Sequence, residues 1–291
     1  MKKSISLSAL FFTSAIWGFA FVAQRQGMES LDPFLFNSIR FALGALVVGL
    51  LGFKSVTKYK KIPWNLGIVL FMGASLQQTG LIWTTAGNAG FITGLYVVFV
   101  PILGLFRNQR LNRQTIYAIS LATIGLYLIN DNRDLTVSIS NALILVGALF
   151  WAIHLQLVDK LIKRYDTLYL AFTQFAICAI LSLIVGLIYN LGYRPETFLS
   201  SEIFSNIGSA GISLLYSGLI SVGIAYTLQV FAQRQIEPTK AAIILCLESV
   251  FALLGGWLIL SEQITFSLII GASLILLAMI ISIRVKPAVI H

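Results

Sequence analysis

The sequence predicts an all-α integral membrane protein: ten transmembrane helices forming two inverted five-helix repeats around a central cavity. Three observations predict it. Long apolar runs carry little charge, basic residues alternate between successive loops, and the two halves share a register.

Hydrophobic residues make up 58% of the 291 and charged residues 11%, with a mean hydropathy of +0.89. A soluble domain carries about 25% charge, because water must solvate its surface. The apolar runs, about 17–22 residues each, have the length a helix needs to cross roughly 30 Å of hydrocarbon. In lipid only helices and closed barrels satisfy their own backbone, so runs of this length read as helices. The expected spans are 5–23, 34–53, 65–85, 89–106, 114–130, 138–158, 168–189, 207–230, 240–260 and 264–284. Short polar punctuation separates them and leaves no stretch for a separate soluble domain. Met1-Lys2-Lys3 before the first run has the shape of a signal peptide. That run is long for one, however, and Phe21-Val22-Ala23 offers no small-x-small cleavage site, so it reads as an uncleaved first span.

The net charge of +9 raises the question of nucleic acid, and its placement answers it. With the N-terminus in the cytoplasm, 16 basic residues fall in cytoplasmic loops and ends, against Arg25, Arg133 and Arg194 outside and Arg40 inside a span. Excess Lys and Arg on the cytoplasmic side is the topology signal of membrane proteins. The reading is a multi-pass protein of a bacterial inner membrane, both termini cytoplasmic, with lipid and not nucleic acid around it. Cys178 and Cys246 lie inside apolar runs and read as small core residues.

A shift of 134 residues lays Ser14-Ala15-Ile16-Trp17-Gly18 against Ala148-Leu149-Phe150-Trp151-Ala152. It also sets Asp32 against Asp166, Arg40 against Gln174 and Phe41-Ala42 against Phe175-Ala176 without a gap. An offset of 148 pairs Thr79 with Thr227 and Pro101 with Ser249. The expected units are therefore 1–134 and 135–291. Five spans is an odd number, so the second copy must sit upside down relative to the first. Inverted repeats mark alternating-access transporters, which bind their solute near the midplane between the repeats.

Trp17-Gly18, Arg40 and the stretch from Thr84 to Tyr96 (Thr-Thr-Ala-Gly-Asn-Ala-Gly-Phe-Ile-Thr-Gly-Leu-Tyr) resemble the EamA-like branch of the drug/metabolite transporter superfamily. So do Leu247-Glu248-Ser249-Val250-Phe251 and Leu260-Ser261-Glu262-Gln263-Ile264-Thr265. The resemblance spans nearly the whole chain. It implies ten helices as two inverted repeats, and a cavity lined mainly by helices 1, 3, 4, 6, 8 and 9. It also implies export or exchange of amino acids or related metabolites. The chain departs from the family in having Glu248-Ser249 where Glu-Pro is common, with its proline in the other half as Pro101. This predicts a kink in helix 4 without a twin in helix 9.

Ionisable groups are costly inside a membrane, so each is a functional candidate. Glu248, eight residues or roughly 12 Å into its span, either binds a substrate amine or proton or pairs structurally with a neighbouring helix. Arg40 offers a guanidinium fork suited to a carboxylate. Because helix 2 is peripheral in the resembled fold, Arg40 is assigned a structural or gating role. His154 shares a helical face with Trp151 and is either a proton relay or a hydrogen-bonded core group. Trp17 and Trp151 occupy equivalent places and either flank a cavity for an apolar or aromatic solute or simply pack. Gln77 and Gln78 (with Ser75 and Thr79) in span 3, and Tyr226 (with Ser221, Thr227 and Gln229) in span 8, need polar partners or a wet cavity. Tyr96 shares a face with Thr93. The expected substrate-binding set is thus Trp17, Gln77, Gln78, Tyr96, Trp151, His154, Tyr226 and Glu248. Gly90 and Gly94 make a G-x-x-x-G step for close helix approach. Pro101 predicts a mid-span kink that frees carbonyls, and Pro238 reads as a first-turn proline. Asp131 and Asp134 flank Arg133 in an outer loop and read as solvated.

The expected function is a secondary carrier that moves amino acids or related amines and aromatic compounds, in the export direction and as a monomer. No catalytic, cofactor or metal site is expected. The rival readings are an integral-membrane enzyme and a non-transporting scaffold. The chain has two histidines and no metal spacing such as H-E-x-x-H, no ATP-binding P-loop pattern, and short outer loops. A channel would need a polar lining repeated around an axis.

Overall fold

The computed structural model describes residues 3–129, 139–193, 195–261, 263 and 265–284. The expectations on Arg133, Asp131, Asp134, Arg194, Glu262, Ile264, Lys286 and His291 lie outside these residues. The long helices are α1 (Lys3–Gly27), α2 (Pro33–Leu51), α3 (Trp64–Leu81), α4 (Ala86–Leu105) and α5 (Arg113–Ile129). They continue with α6 (Ile139–Leu161), α7 (Thr167–Tyr193), α8 (Gly211–Ala232), α9 (Pro238–Leu260) and α10 (Phe266–Arg284).

Among the described residues, eight of these are long and apolar enough to cross a membrane. The other two, α3 and α5, have 18 and 17 residues. Each element falls within a few residues of an expected span. The largest difference is at 207–230, where Glu202–Ser209 is a separate short helix and α8 begins only at Gly211. The outward faces carry Leu46, Leu50, Ile188, Leu258 and Ile269, all exposed. An apolar surface on this scale belongs in lipid, not water. The chain is a multi-pass membrane protein.

Local signals explain where the helices start. Asp32 caps α2, its Oδ1 accepting from the backbone N–H of Phe34 (2.9 Å) and Leu35 (3.0 Å), and Pro33 occupies the first turn. Pro238 begins α9 in the same way, as expected. Thr85 caps α4 by accepting from the Asn88 N–H.

Helix α1 packs on α8 and α9, α6 on α3 and α4, and α2 on both α7 and α8. Helix α7 also meets α3, α4 meets α9, and α5 pairs with α10 at the edge. At one end of the α2/α7 pair, Asp32 Oδ2 accepts from Asn190 Nδ2 at 2.8 Å. At the other, Asp166 accepts from Ser55 Oγ (3.1 Å) and Lys58 Nζ (3.2 Å). The start of each helix thus lies beside the end of the other, and the two run antiparallel.

Candidate functional site

Helices α4 and α9 are each interrupted mid-span, at Leu95 and at Cys246. In both a single turn tightens: Val98 N–H donates to Leu95 O (3.0 Å) and Ser249 N–H to Cys246 O (3.1 Å). The expectation of one kink, at Pro101, is therefore corrected in two ways. The helix runs regularly through Pro101 from Tyr96 to Leu105, and α9 has its own break without a proline. The cause lies in the α4–α9 crossing. Ser249 Oγ donates to Gly90 O at 2.7 Å and Cys246 Sγ to Gly94 O at 3.4 Å. Gly94 O is available because Val98 N–H has turned to Leu95. A Cβ on Gly94 would stand 2.9 Å from Ser249 Oγ, and one on Gly90 3.1 Å from Ala252 Cβ, so the G-x-x-x-G step does admit a close neighbour.

The breaks place one polar residue in the first turn of each second half-helix, Tyr96 on α4 and Glu248 on α9. Both residues face a cavity that also receives Trp17, Gln77, Trp151, His154 and Tyr226. Seven of the eight residues expected to bind substrate thus come together. Gln78 does not: successive helical side chains point about 100° apart, so only one of two neighbouring glutamines can face inward. Gln78 is fully buried elsewhere, with its amide unpartnered among the described residues.

Tyr226 is the hub of the aromatic wall. Its ring centroid lies 4.5 Å from that of Trp17, 6.0 Å from Trp151 and 6.3 Å from His154, with Phe41 and Phe175 behind. The two tryptophans are anchored alike: Trp17 Nε1 donates to Ser221 O (3.3 Å) and Trp151 Nε1 to Gln77 Oε1 (2.8 Å). Gln77 Oε1 also accepts from Thr93 Oγ1 at 3.4 Å. His154 Nε2 contacts Gln174 Oε1 at 2.6 Å, the aligned counterpart of Arg40. Tyr226 and Ser221 belong to a π-helical stretch, Tyr216–Tyr226, whose wider turn is a recurrent feature of functional sites.

Arg40 also lines this cavity. Helix α2 packs on α7 and α8, and its arginine reaches the cavity between them and the other helices. No N–O distance to Glu248 or any other described carboxylate is within 4.0 Å, so the two buried charges do not pair directly. Glu248 is 3% exposed, and the Tyr96 hydroxyl is its neighbour, close enough to interact but outside strict hydrogen-bond geometry.

Centres of water-sized molecules can occupy about 40 Å³ of the cavity. That is room for roughly three waters. Gln156, next in sequence to the lining Leu155, is the centre of a polar cluster. Gln156 Oε1 accepts from Arg107 and Gln109, its Nε2 donates to Val100 O (2.9 Å), and Arg107 pairs with Asp159 at 3.3 Å.

Sequence reasoning missed Gln24, Leu155, Leu245, Ala20 and Phe21 as lining residues. Gln24 was within reach, since it follows Trp17 by seven residues and so shares its helical face. A leucine on a cavity carries no signal to separate it from one in the core.

The sequence pattern of the EamA-like transporter family matches this chain in two stretches, residues 4–131 and 138–284. An "Uncharacterized transporter" of Archaeoglobus fulgidus is 32% identical over 287 residues, covering 98% of this chain and 88% of its own. The "Uncharacterized transporter YoaV" of Bacillus subtilis is 26% identical over 273 residues, 89% and 90% of the two chains. A solved crystal structure superposes on 97% of both chains with a TM-score of 0.76 at 16% identity, a likeness of fold.

Proposed function

Since the chain belongs to the EamA-like transporter family, and is a membrane transporter rather than an enzyme, we propose that it is an alternating-access carrier of small metabolites. The solutes are amino acids or related amines and aromatic compounds, moved outward across a bacterial inner membrane by a monomer. The observation that carries this reading is the cavity. It joins one buried carboxylate, one buried guanidinium and an aromatic wall, and both halves of the chain supply it: Trp17, Arg40, Gln77 and Tyr96 from the first, Trp151, His154, Tyr226 and Glu248 from the second.

The reading includes ten spans, with α3 and α5 crossing alongside the other eight, as two inverted repeats over 1–134 and 135–291. Two features support the inversion. The main packing pairs map onto one another when each helix is exchanged for the one five places on: α1–α8 becomes α6–α3, α1–α9 becomes α6–α4, and α2–α8 becomes α7–α3. Helices α2 and α7, equivalent under that exchange, run antiparallel. The 16-to-3 division of basic residues supports cytoplasmic termini. Interrupted helices meeting at midplane suit a carrier, because freed backbone groups can then face a solute.

The test is uptake of amino acids and amines into proteoliposomes, with and without a pH gradient. Saturable uptake is expected, and Glu248→Gln abolishes it while the protein stays folded in the membrane. Absence of flux for every small solute contradicts the carrier. Unchanged transport by Glu248→Gln removes that residue from the site.

A further inference from the structure

We propose that Arg40 is the carboxylate-binding residue of the central cavity. Together with Glu248 it then selects solutes bearing both an anionic and a cationic group over amines bearing only the latter. This rests on the carrier reading above and narrows its substrate class.

The argument starts from what holds Arg40. It is 2% exposed, and its hydrogen-bond and ring partners lie on its own helix, with Tyr226 and Cys178 of the neighbouring helices near its charge. Nε donates to Asn37 Oδ1 at 2.8 Å, one turn back, and the guanidinium carbon lies 4.8 Å from the Phe41 ring centroid and 6.0 Å from that of Phe36. A residue that clamped α2 to a neighbour would bond to that neighbour. Arg40 makes no such hydrogen bond or ion pair among the described residues.

A guanidinium has five N–H donors and stays protonated in a protein. One donor is taken by Asn37, and among the described residues the outer nitrogens have no hydrogen-bond acceptor. Asn37 and the two phenylalanines hold the fork in place beside the cavity that Arg40 lines. A buried charge without a partner is strongly unfavourable, and Glu248 is not within pairing distance. A carboxyl and a guanidinium that are not paired with each other, both lining one small cavity, are satisfied together by a solute that carries both complements. An amine alone satisfies Glu248 and leaves the guanidinium as it was. Bidentate pairing of arginine with carboxylate is among the stronger polar contacts, so the discrimination is expected to be large. The aromatic wall around Tyr226 adds a surface for an apolar side chain.

The test measures binding to the full chain in detergent by titration calorimetry, using L-phenylalanine, phenethylamine and 3-phenylpropionate. Wild type is expected to bind phenylalanine at least about tenfold more tightly than either analogue lacking one charge. Arg40→Met should bring phenylalanine down to the level of phenethylamine and leave phenethylamine unchanged. Asn37→Ala, which keeps the charge but frees its orientation, should weaken phenylalanine selectively and by less. The wild-type comparison and Asn37→Ala keep the test decisive if Arg40→Met fails to fold. Equal binding of phenethylamine and phenylalanine by wild type overturns the assignment while the carrier reading stands. So does an equal loss of both ligands in Arg40→Met. Binding of none of the three overturns the amino-acid reading and this assignment together.

Discussion

At the scale of single residues, burial sorts the polar groups inside the membrane into those with partners and those facing the cavity. Trp17, Trp151 and Gln77 have their hydrogen bonds made by protein. Glu248, the Tyr96 hydroxyl beside it and the Arg40 guanidinium are bound less fully, and all three residues line the cavity. Glu248 and Trp17 were legible because an acid and a repeated tryptophan stand out among apolar neighbours. The inward reach of Arg40 was not legible, since the direction of a side chain on α2 depends on which helices flank it. One residue sets the spacing around Glu248. A Cβ on Gly18 would lie 2.7 Å from both Ala252 N and Glu248 O, and would overlap Phe251. At Gly192, by contrast, there is nothing within 4 Å. Gly18→Ala is expected to destabilise by about 1–3 kcal/mol, and Gly192→Ala to be neutral or stabilising by up to about 1 kcal/mol. Thermal unfolding in detergent checks the pair, and equal effects would contradict the close α1–α9 contact.

At the scale of elements, hydropathy read the helices well because length and apolarity are what the bilayer demands. The internal breaks were less accessible. Pro101 pointed to a kink in α4 but not to its place, because side chains of α9 at the crossing decide where the turn tightens. The break at Cys246 carries no proline or glycine signal at all. The two aspartates that tie α2 to α7 differ in setting, and this gives a prediction. Asp32 and Asn190 are buried, whereas Lys58 is exposed. Asp32→Ala removes a helix cap and strands Asn190, at a cost of roughly 1–3 kcal/mol. Asp166→Ala should cost less, because exposed ion pairs are weak. Burial pushes the Asp166 carboxyl up, but hydrogen bonds from Lys58 and Ser55 outweigh it and hold it below its usual value. The bond to Asp166 in turn raises the Lys58 ammonium. The aspartate's contribution is lost as pH falls through its lowered pKa, and the lysine's as pH rises through its raised one. The tie therefore persists across the neutral range, and the stability difference between wild type and Asp166→Ala should be flat from about pH 6 to 8. A slope in that window contradicts the pairing.

At the scale of the whole molecule, the loop charges and the duplicated register were legible, because topology and ancestry leave their marks across many residues. The contact of Gln156 with Arg107 and Gln109 was not, because these residues lie more than 45 positions away in sequence. Counterflow separates a carrier from a channel, because only a carrier returns loaded. Proteoliposomes are preloaded with an unlabelled amino acid mixture, and entry of the labelled mixture is compared with entry into empty vesicles. The account predicts faster, transiently concentrative entry into the preloaded vesicles, and its loss with Glu248→Gln. Equal entry into loaded and empty vesicles would contradict it.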